Sequence, residues 1–238
     1  MHIEYKELKP LSIKGATMLV GFPTSGLVGS IAASYLANRL EMEMVGYFRS
    51  EKMPPVTAIH DYKPMPPLRV YKSDRYNLVV VLSEIVTPIS LSSEMASEIS
   101  KIAEKIKSPL LITLGGISLH QDEESVYGIS TSEELVASLE KRGQIKRVKE
   151  GATTGVAGLL LTPGIAKTPV LSLLAETLEE QPDPKAAANV LKIVAKILKI
   201  KLDTGELEEE AKILSQATRE AVLSSKKTKR KQLGQMYG

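Results

Sequence analysis

Side chains that could act together as nucleophile, base and acid lie near the ends of two apolar runs. Ser83 and Glu84 follow the first run, and Ser118 and His120 follow the second. A hydroxyl, an imidazole and a carboxylate form a catalytic triad only when hydrogen bonds join them in that order. The sequence lacks the Gly-x-Ser-x-Gly motif that exposes a serine on a sharp turn. We therefore predict no nucleophilic triad and no catalytic residue.

A glycine-punctuated loop is the second candidate for chemistry, because backbone amides at a helix N-terminus can bind an anion. Its glycines are Gly21, Gly26 and Gly29. This spacing matches neither the dinucleotide-binding motif nor the phosphate loop that ends in Gly-Lys-Ser/Thr. No lysine or arginine lies between Met18 and Asn38. We expect the glycines to serve a tight turn and close packing, and the alternative of a small-anion site stays open.

The chain contains few residues that could bind a metal or take part in redox chemistry. The sequence has no cysteine, which excludes disulfides, thiolate nucleophiles and cysteine-ligated metals. Its three histidines, His2, His60 and His120, are not spaced as a metal-binding pair. We therefore predict neither a metal nor a cofactor.

The composition is that of an ordinary soluble globular protein: 238 residues, 43% apolar and 25% charged. No apolar run approaches the length of a membrane span. Met1 to Pro10 carries two lysines and two glutamates, unlike the apolar core of a secretory signal. We expect a cytoplasmic protein without membrane contact, built as one domain with appendages.

Apolar runs and helical patterns alternate along the chain and would position these residues. The runs, typical of strands covered on both faces, are Thr17 to Phe22, Leu78 to Leu82, Leu110 to Leu114 and Val170 to Leu174. Apolar residues at helical spacing follow the first run from Leu27 onward. This alternation predicts an α/β fold with parallel crossovers between strands.

Shorter signals predict further elements. Glu43 to Arg49 alternates as a strand, and Val56 to His60 and Leu68 to Lys72 are short strand candidates. The prolines between those two candidates predict edge strands or hairpins, because proline cannot donate to a strand ladder. Gly151 to Gly164 is rich in Gly, Thr, Ala and Leu, and Val156 to Leu161 fits a small-residue helix packed tightly against the sheet.

Two Pro-containing pairs predict helix starts. Thr87 is the expected N-cap before Pro88, and Asp183 is the expected N-cap before Pro184. Apolar stripes then run from Ala187 to Leu198 and from Leu207 to Ala221 in steps of three and four. Apolar surface of this kind is usually covered by a partner, so we predict a homo-oligomer, specifically a tetramer.

Basic residues cluster near the C-terminus, at Lys226, Lys227, Lys229, Arg230 and Lys231. Clustered cations attract phosphate groups without sequence preference, which makes nucleic-acid binding an alternative function. The cluster contains no aromatic residue for base stacking, so nucleic acid is the less favoured partner. The segment from Ser224 to Gly238 has little apolar periodicity and is predicted to be mobile.

The motifs together resemble those of the archaeal proteasome-assembly-chaperone family, relatives of the second eukaryotic proteasome assembly chaperone subunit. The matching motifs are Gly21-Phe22-Pro23 with Gly26-Leu27-Val28-Gly29, Leu114-Gly115-Gly116, Gly155 to Leu161, and Leu171 to Glu176 followed by Asp183 to Ala187. The resemblance implies a three-layer α/β sandwich with a largely parallel central sheet, similar to the purine nucleoside phosphorylase fold without its activity. One departure is Thr24-Ser25, where family members often carry Gly-Ile.

The division expected from this resemblance is a chaperone-family domain at residues 1–202, a C-terminal helix at 203–225, and a flexible basic tail at 226–238. The last three residues, Met236, Tyr237 and Gly238, resemble the hydrophobic-Tyr-any motif that proteasome activators insert between α-subunits of the core particle. The implied function is a non-enzymatic protein that binds the proteasome α-ring. It would assist assembly or act as an ATP-independent activator. A phosphorylase-like enzyme is the alternative on the same fold.

Overall fold

The computed structural model describes residues 3–119, 124–177 and 181–209. Its strands are β1 (Glu4–Glu7), β2 (Thr17–Gly21), β3 (Glu43–Arg49), β4 (Ala58–His60), β5 (Lys63–Met65), β6 (Leu68–Ser73), β7 (Leu78–Ser83), β8 (Leu111–Ile117), β9 (Val126–Ser130), β10 (Lys146–Arg147) and β11 (Val170–Glu176). Its helices are α1 (Val28–Arg39), α2 (Ile89–Lys105), α3 (Glu133–Lys141), α4 (Gly155–Leu161) and α5 (Pro184–Leu198). Residues 205–209 are also helical.

Nine strands of the described chain form one mixed sheet, in the order β1-β3-β6-β7-β2-β8-β11-β9-β10. The four central strands, β7, β2, β8 and β11, are parallel to one another. On one side of this centre, β1, β3, β6 and β7 pair antiparallel in that order, and β4 and β5 form a separate hairpin. The predicted α/β class is confirmed, and its parallel centre consists of the four continuous apolar runs.

Helices cover both faces of the sheet, because successive side chains of each central strand point to opposite faces. In β7, Leu78, Val80 and Leu82 pack into one core, and Val79 and Val81 pack into the other. Residues of α1, α3 and α5 complete the first core, and residues of α2 and α4 complete the second. The predicted three-layer arrangement is therefore confirmed.

One of the two predicted helix starts is correct. The Asp183 carboxylate accepts a hydrogen bond from the Ala186 backbone N–H at 2.9 Å, and Pro184 opens α5. The N-cap prediction for Thr87 is wrong by one residue. Pro88, with an extended ψ of 139°, itself occupies the N-cap position of α2.

Two strands differ from their predicted form. β6 pairs with β3 on one side and β7 on the other, so it is not an edge strand. Pro67 precedes Leu68, the first residue of β6, and therefore removes no donor from the ladder. β8 continues through Gly115 to Ile117, beyond the predicted end of the run at Leu114. Backbone pairing with β11 continues across this segment, and backbone hydrogen bonds need no side chain.

The apolar stripe of α5 faces the interior of its own chain. Ala187, Leu191 and Val194 are fully buried and belong to the core shared with α1. This stripe needs no second subunit, so it no longer supports the predicted self-association. The other stripe begins at Leu207, which is buried, but most of it lies outside the described residues.

Candidate interaction surface

The turn between β2 and α1 brings the helix start against the ends of neighbouring strands. Gly26 has a positive φ of 62°, a conformation that glycine adopts without strain. A Cβ atom added to Gly29 would overlap the backbone carbonyl oxygens of Leu114 and Phe22. Because carbonyl oxygens repel an anion and fill this space, the geometry favours the packing role of the glycines. The Thr24 hydroxyl accepts a hydrogen bond from the Gly116 N–H at 3.0 Å, which fixes the turn against β8.

The residues considered for a triad have other partners or fall outside the described chain. Ser83 is buried, and its hydroxyl donates to the carbonyl oxygen of Ile85 at 2.7 Å. Glu84 binds an arginine and a different histidine from the one considered. Ser118 directly follows β8, and His120 lies outside the described residues.

Glu84 and the buried Arg69 form an ion pair that also holds His60. An Nη atom of Arg69 and the Nε2 atom of His60 each lie 2.8 Å from the same oxygen of Glu84. The other Nη atom of Arg69 donates to the carbonyl oxygen of Pro66 at 3.0 Å. The Arg69 side chain is 1% exposed, against 23% for Glu84 and 42% for His60. Without a carboxylate beside it, a buried guanidinium would be strongly unfavourable.

This ion pair joins three strands at the carboxyl end of β7. His60 ends β4, Arg69 lies within β6, and Glu84 follows β7. Burial raises the pKa of the neighbouring Tyr71 hydroxyl, and the charge of Arg69 opposes that rise. Sequence reasoning missed the cluster. The one sequence feature that could have indicated this cluster is an arginine within the otherwise apolar start of a predicted strand.

The hairpin held by His60 forms a separate two-stranded unit beside the carboxyl end of β7, and we call its residues, 58–65, the arm. Its two-residue turn consists of Asp61 and Tyr62, with φ values of 47° and 63°. Positive φ at both central residues defines a type I′ turn, which favours Asn-Gly or Asp-Gly. Tyr62 is fully exposed at the tip, and Ile59 is 73% exposed on β4. The arm therefore exposes the apolar side chains of Ile59 and Tyr62. Tyr62 occupies the turn position where glycine is usual.

A cleft of about 350 Å³ opens between the end of β3 and the arm. Its walls include aromatic rings, methionines and prolines, among them Tyr47, Phe48, Met53 and Met65. Arg49 also lines the cleft and is paired with Glu4 at 3.0 Å. The cleft is thus an apolar pocket with a charged rim.

The arm and the cleft belong to a larger apolar end of the sheet. Because β6 runs antiparallel to β7, the segment before β6 lies at the carboxyl end of β7, where Leu68 pairs with Ser83. With the exception of Leu8, every large hydrophobic side chain that is exposed in the described chain lies in segments at this end: Leu27, Val56, Ile59, Tyr62, Val86, Ile89 and Leu119. A concentration of exposed apolar groups of this kind is typical of protein-binding surfaces.

The predicted docking residues cannot be located relative to this surface, because they follow the last described residue, 209. The basic run from Lys226 to Lys231 and the tripeptide Met236, Tyr237 and Gly238 lie outside the described residues and stay predictions. Within the described chain, no group of three or more His, Asp or Glu side chains could hold a metal ion. None of its helices is both long and apolar enough to cross a membrane.

A sequence model of the PAC2 family matches residues 18–222. The chain belongs to the PAC2 family. PbaA of Pyrococcus furiosus, an archaeal homologue of proteasome-assembly chaperone, is 34% identical with a TM-score of 0.83, covering 98% of this chain and 99% of that chain. PbaB of the same organism, an archaeal proteasome activator, is 24% identical with a TM-score of 0.79, covering 92% and 98%. An uncharacterized protein of Methanocaldococcus jannaschii is 28% identical over 219 residues, covering 92% of this chain and 90% of that protein.

The PAC2-family match confirms the resemblance that the sequence motifs indicated. It includes the arm, the cleft and the ion pair of Glu84, and it ends before the basic run at Lys226. Family membership therefore says nothing about the C-terminal tripeptide. The resemblance to purine nucleoside phosphorylases also stays a prediction.

Proposed function

We propose that this PAC2-family protein is a non-enzymatic, cytoplasmic protein that binds the proteasome α-ring. It assists assembly of the core particle or opens its gate without ATP. The observation that carries the proposal is the 34% identity, over nearly the full length of both chains, to the proteasome-assembly-chaperone homologue PbaA. PbaB, at 24% identity, supports the shared fold alone. The apolar end of the sheet supports binding rather than catalysis as the main activity.

The C-terminal tripeptide is the proposed point of attachment to the α-ring. Tyr237 buries its ring in a pocket between α-subunits while its hydroxyl keeps a hydrogen bond. Met236 adapts to an apolar wall, because its unbranched side chain can fill an irregular space. The carboxylate of Gly238 pairs with a lysine of the ring.

The basic run is proposed to attract the ring at a distance rather than to fit it. The thirteen residues from Lys226 to Gly238 can span about 40 Å when extended. Exposed cations on such a tether accelerate association with an acidic rim and make it sensitive to salt. They contribute less to the final contact than the buried tyrosine does.

Self-association as a tetramer is part of the proposal. Several tails on one assembly would bind one ring with greater avidity than a single tail, without any additional type of contact. The support for self-association now comes from the apolar end of the sheet, since the α5 stripe is covered within the chain.

Binding of recombinant α-rings to immobilised protein tests the attachment. Removal of Met236 to Gly238 is expected to abolish capture, and Tyr237→Ala is expected to weaken it by about 2 kcal/mol or more per engaged tail. Charge reversal of Lys226 to Lys231 is expected to slow association, most strongly at low salt.

One outcome would contradict the proposed attachment, and another would contradict the proposed function. If removal of the tripeptide left capture unchanged while deletion of the basic run abolished it, the tail would act only through its charge. If the purified protein converted a nucleoside and phosphate to free base and sugar phosphate, the non-enzymatic assignment would be wrong.

A further inference from the structure

The last described residues lie between two helices of the same chain. α1 and α5 pack side by side on one face of the sheet. Both begin at the carboxyl ends of central strands, α1 after β2 and α5 after β11, and run toward the amino ends. Residues 205–209 are helical, and Leu207 is 2% exposed in the core to which both helices contribute. The described chain therefore ends in contact with its own body.

Ion pairs show the direction in which this last segment runs. The Arg39 guanidinium lies 3.5 Å from a carboxylate oxygen of Asp203 and 3.7 Å from one of Glu206. Arg39 is the last residue of α1, at the amino end of the sheet. The Nζ atom of Lys192 lies 2.8 Å from a carboxylate oxygen of Glu208. Lys192 precedes the last residue of α5 by six residues, which is about 9 Å of helix. From Asp203 to Glu208 the chain therefore advances toward the carboxyl end of the sheet, antiparallel to α1 and α5.

We propose that residues 210–221 continue this helix along the groove between α1 and α5 of the same chain, so that the C-terminal tail leaves at the apolar end of the sheet. The chain's own body, and not a partner subunit, then covers the apolar stripe from Leu207 to Ala221. The PAC2-family match extends to residue 222, so the stripe belongs to the family sequence and the basic run does not.

The groove changes from charged to apolar in the direction of the proposed helix. On α1, Arg39 is followed toward the carboxyl end by Tyr35 and the partly buried Ile31, at intervals of one turn. On α5, Lys192 is followed one turn away by Ala188, which is fully buried. The groove therefore offers cations at its amino end and apolar side chains beyond them.

The segment that would fill the groove changes in the same order. Glu206 and Glu208 contact the two cations. The next residues of the stripe, Ala211, Leu214 and Thr218, are small or apolar. A small side chain such as that of Ala211 lets two helices approach closely. Charged residues thus face charged residues, and apolar residues face apolar ones.

The ion pair of Arg39 and Glu206 also gives the register of the proposed helix. Antiparallel helices have the same rise per residue, so positions equally far from a contact lie opposite each other. Ile31 lies eight residues before Arg39, and Leu214 lies eight residues after Glu206. Leu214 is therefore opposite Ile31.

The length of the stripe brings the chain to the apolar end. Ala221 follows Glu208 by thirteen residues, which is about 20 Å as a helix. Pro184, the first residue of α5, lies eight residues from Lys192, or about 12 Å. The stripe therefore ends about 8 Å beyond the start of α5, and the tail from Ser224 begins there.

This path places two binding elements on one side of the molecule. Leu27 and Ile89 are exposed at the apolar end, and the tail with Tyr237 leaves beside them. The path itself does not depend on proteasome binding. Its consequence rests on the proposed function: a ring that holds the C-terminal tripeptide also contacts the apolar end, and the two contacts reinforce each other.

Disulfide cross-linking tests the path directly, because the natural chain contains no cysteine. The full chain with Ile31→Cys and Leu214→Cys is expected to form a disulfide within one chain under mild oxidation. The matched control combines Ile31→Cys with Gln216→Cys, on the opposite side of the proposed helix, and is expected to stay reduced. Equal yields for both pairs, or disulfides only between two chains, would overturn the proposed path.

Urea unfolding separates packing from proximity. Leu214→Glu places a charge in the groove and is expected to lower the unfolding midpoint. Leu233→Glu makes the same change beyond the basic run and is expected to leave the midpoint unchanged. Equal midpoints for the two variants would show that the body does not cover Leu214, and would overturn the path.

Energy transfer between two dyes locates the exit of the tail. One dye is placed at Ser224→Cys and the other at Ile89→Cys, at the apolar end, or at Lys14→Cys, which precedes β2 at the opposite end. Labelled chains are diluted into excess unlabelled protein, so that only transfer within a chain is measured. Transfer is expected to be more efficient with Ile89 than with Lys14, and the reverse order would overturn the exit at the apolar end.

Capture of recombinant α-rings tests the consequence for binding. Ile89→Lys is expected to weaken capture several-fold, whereas Leu8→Lys, at the other end of the sheet, is expected to leave it unchanged. Equal capture by the two variants would overturn the joint contact but not the path. If the wild type captured no α-rings while the cross-link formed, the proposed function would fail and the path would stand.

Discussion

Glu84→Ala is the substitution whose effect on stability the structure defines best. It leaves the guanidinium of Arg69, which is 1% exposed, without its carboxylate partner. Removal of one member of a buried ion pair costs about 3–5 kcal/mol. The side chains of Glu84 and His60 are 23% and 42% exposed, so water can reach the vacated position. We therefore expect a loss of about 3 kcal/mol in the free energy of unfolding, at the low end of that range.

Urea unfolding of four proteins tests this value at one fixed protein concentration, since self-association affects apparent stability. They are the wild type, Glu84→Ala, Arg69→Met, and the double variant. Arg69→Met removes the buried charge itself, so it is expected to cost less than Glu84→Ala does. The double variant is expected to lose little more than Arg69→Met alone, giving a coupling free energy of about 2 kcal/mol.

His60→Ala is the matched control. It removes the other hydrogen-bond partner of Glu84, but an exposed partner of this kind contributes less than about 1 kcal/mol. Equal losses for His60→Ala and Glu84→Ala would refute the reasoning. Strictly additive losses in the double variant would refute it as well, because they would show that Arg69 and Glu84 do not depend on each other.

Two other substitutions have defined outcomes. Gly29→Ala is expected to lower the free energy of unfolding by about 2 kcal/mol or more, because its methyl group meets backbone carbonyl oxygens. Gly151→Ala, whose methyl group would lie 3.6 Å from its nearest neighbour, is expected to be neutral in the same titration. Burial raises the pKa of Tyr5 to about 12, against about 10 in the unfolded chain. Only the unfolded state then ionises between these values, so stability falls as pH rises through them. The Tyr5→Phe variant is expected to lose less stability over this pH range, and equal losses would contradict the assignment.

Local signals account for the parts of the fold that the sequence predicted. The run from Leu78 to Leu82 is continuous and apolar, and a strand of that kind is stable only between two covering layers. The start of α5 was predictable because Asp183 caps the backbone N–H of a residue only three positions away. The motifs that carry the family resemblance are likewise short and contiguous. Each of these features depends on residues that are neighbours in the chain.

Most of the candidate interaction surface could not be predicted from the sequence. The sequence placed His60 in a strand candidate, but it did not show that this strand belongs to the arm and contacts Glu84. It also considered Glu84 beside His120, whereas the structure pairs Glu84 with Arg69 and His60. The sequence predicted that another subunit covers the apolar stripe of α5. In the structure the residues of this stripe lie in the core of their own chain.

The amino-acid sequence by itself determined the α/β class, the central parallel strands and the family, because hydrophobic periodicity and short motifs act over a few residues. Only the tertiary structure decided that Arg69 meets Glu84, and that the arm and the cleft share one end of the sheet. Those contacts depend on the antiparallel register that places Leu68 opposite Ser83. That register follows from the short turn between Ser73 and Leu78, but no local pattern shows that β4 brings His60 against Glu84 at the same end of the sheet.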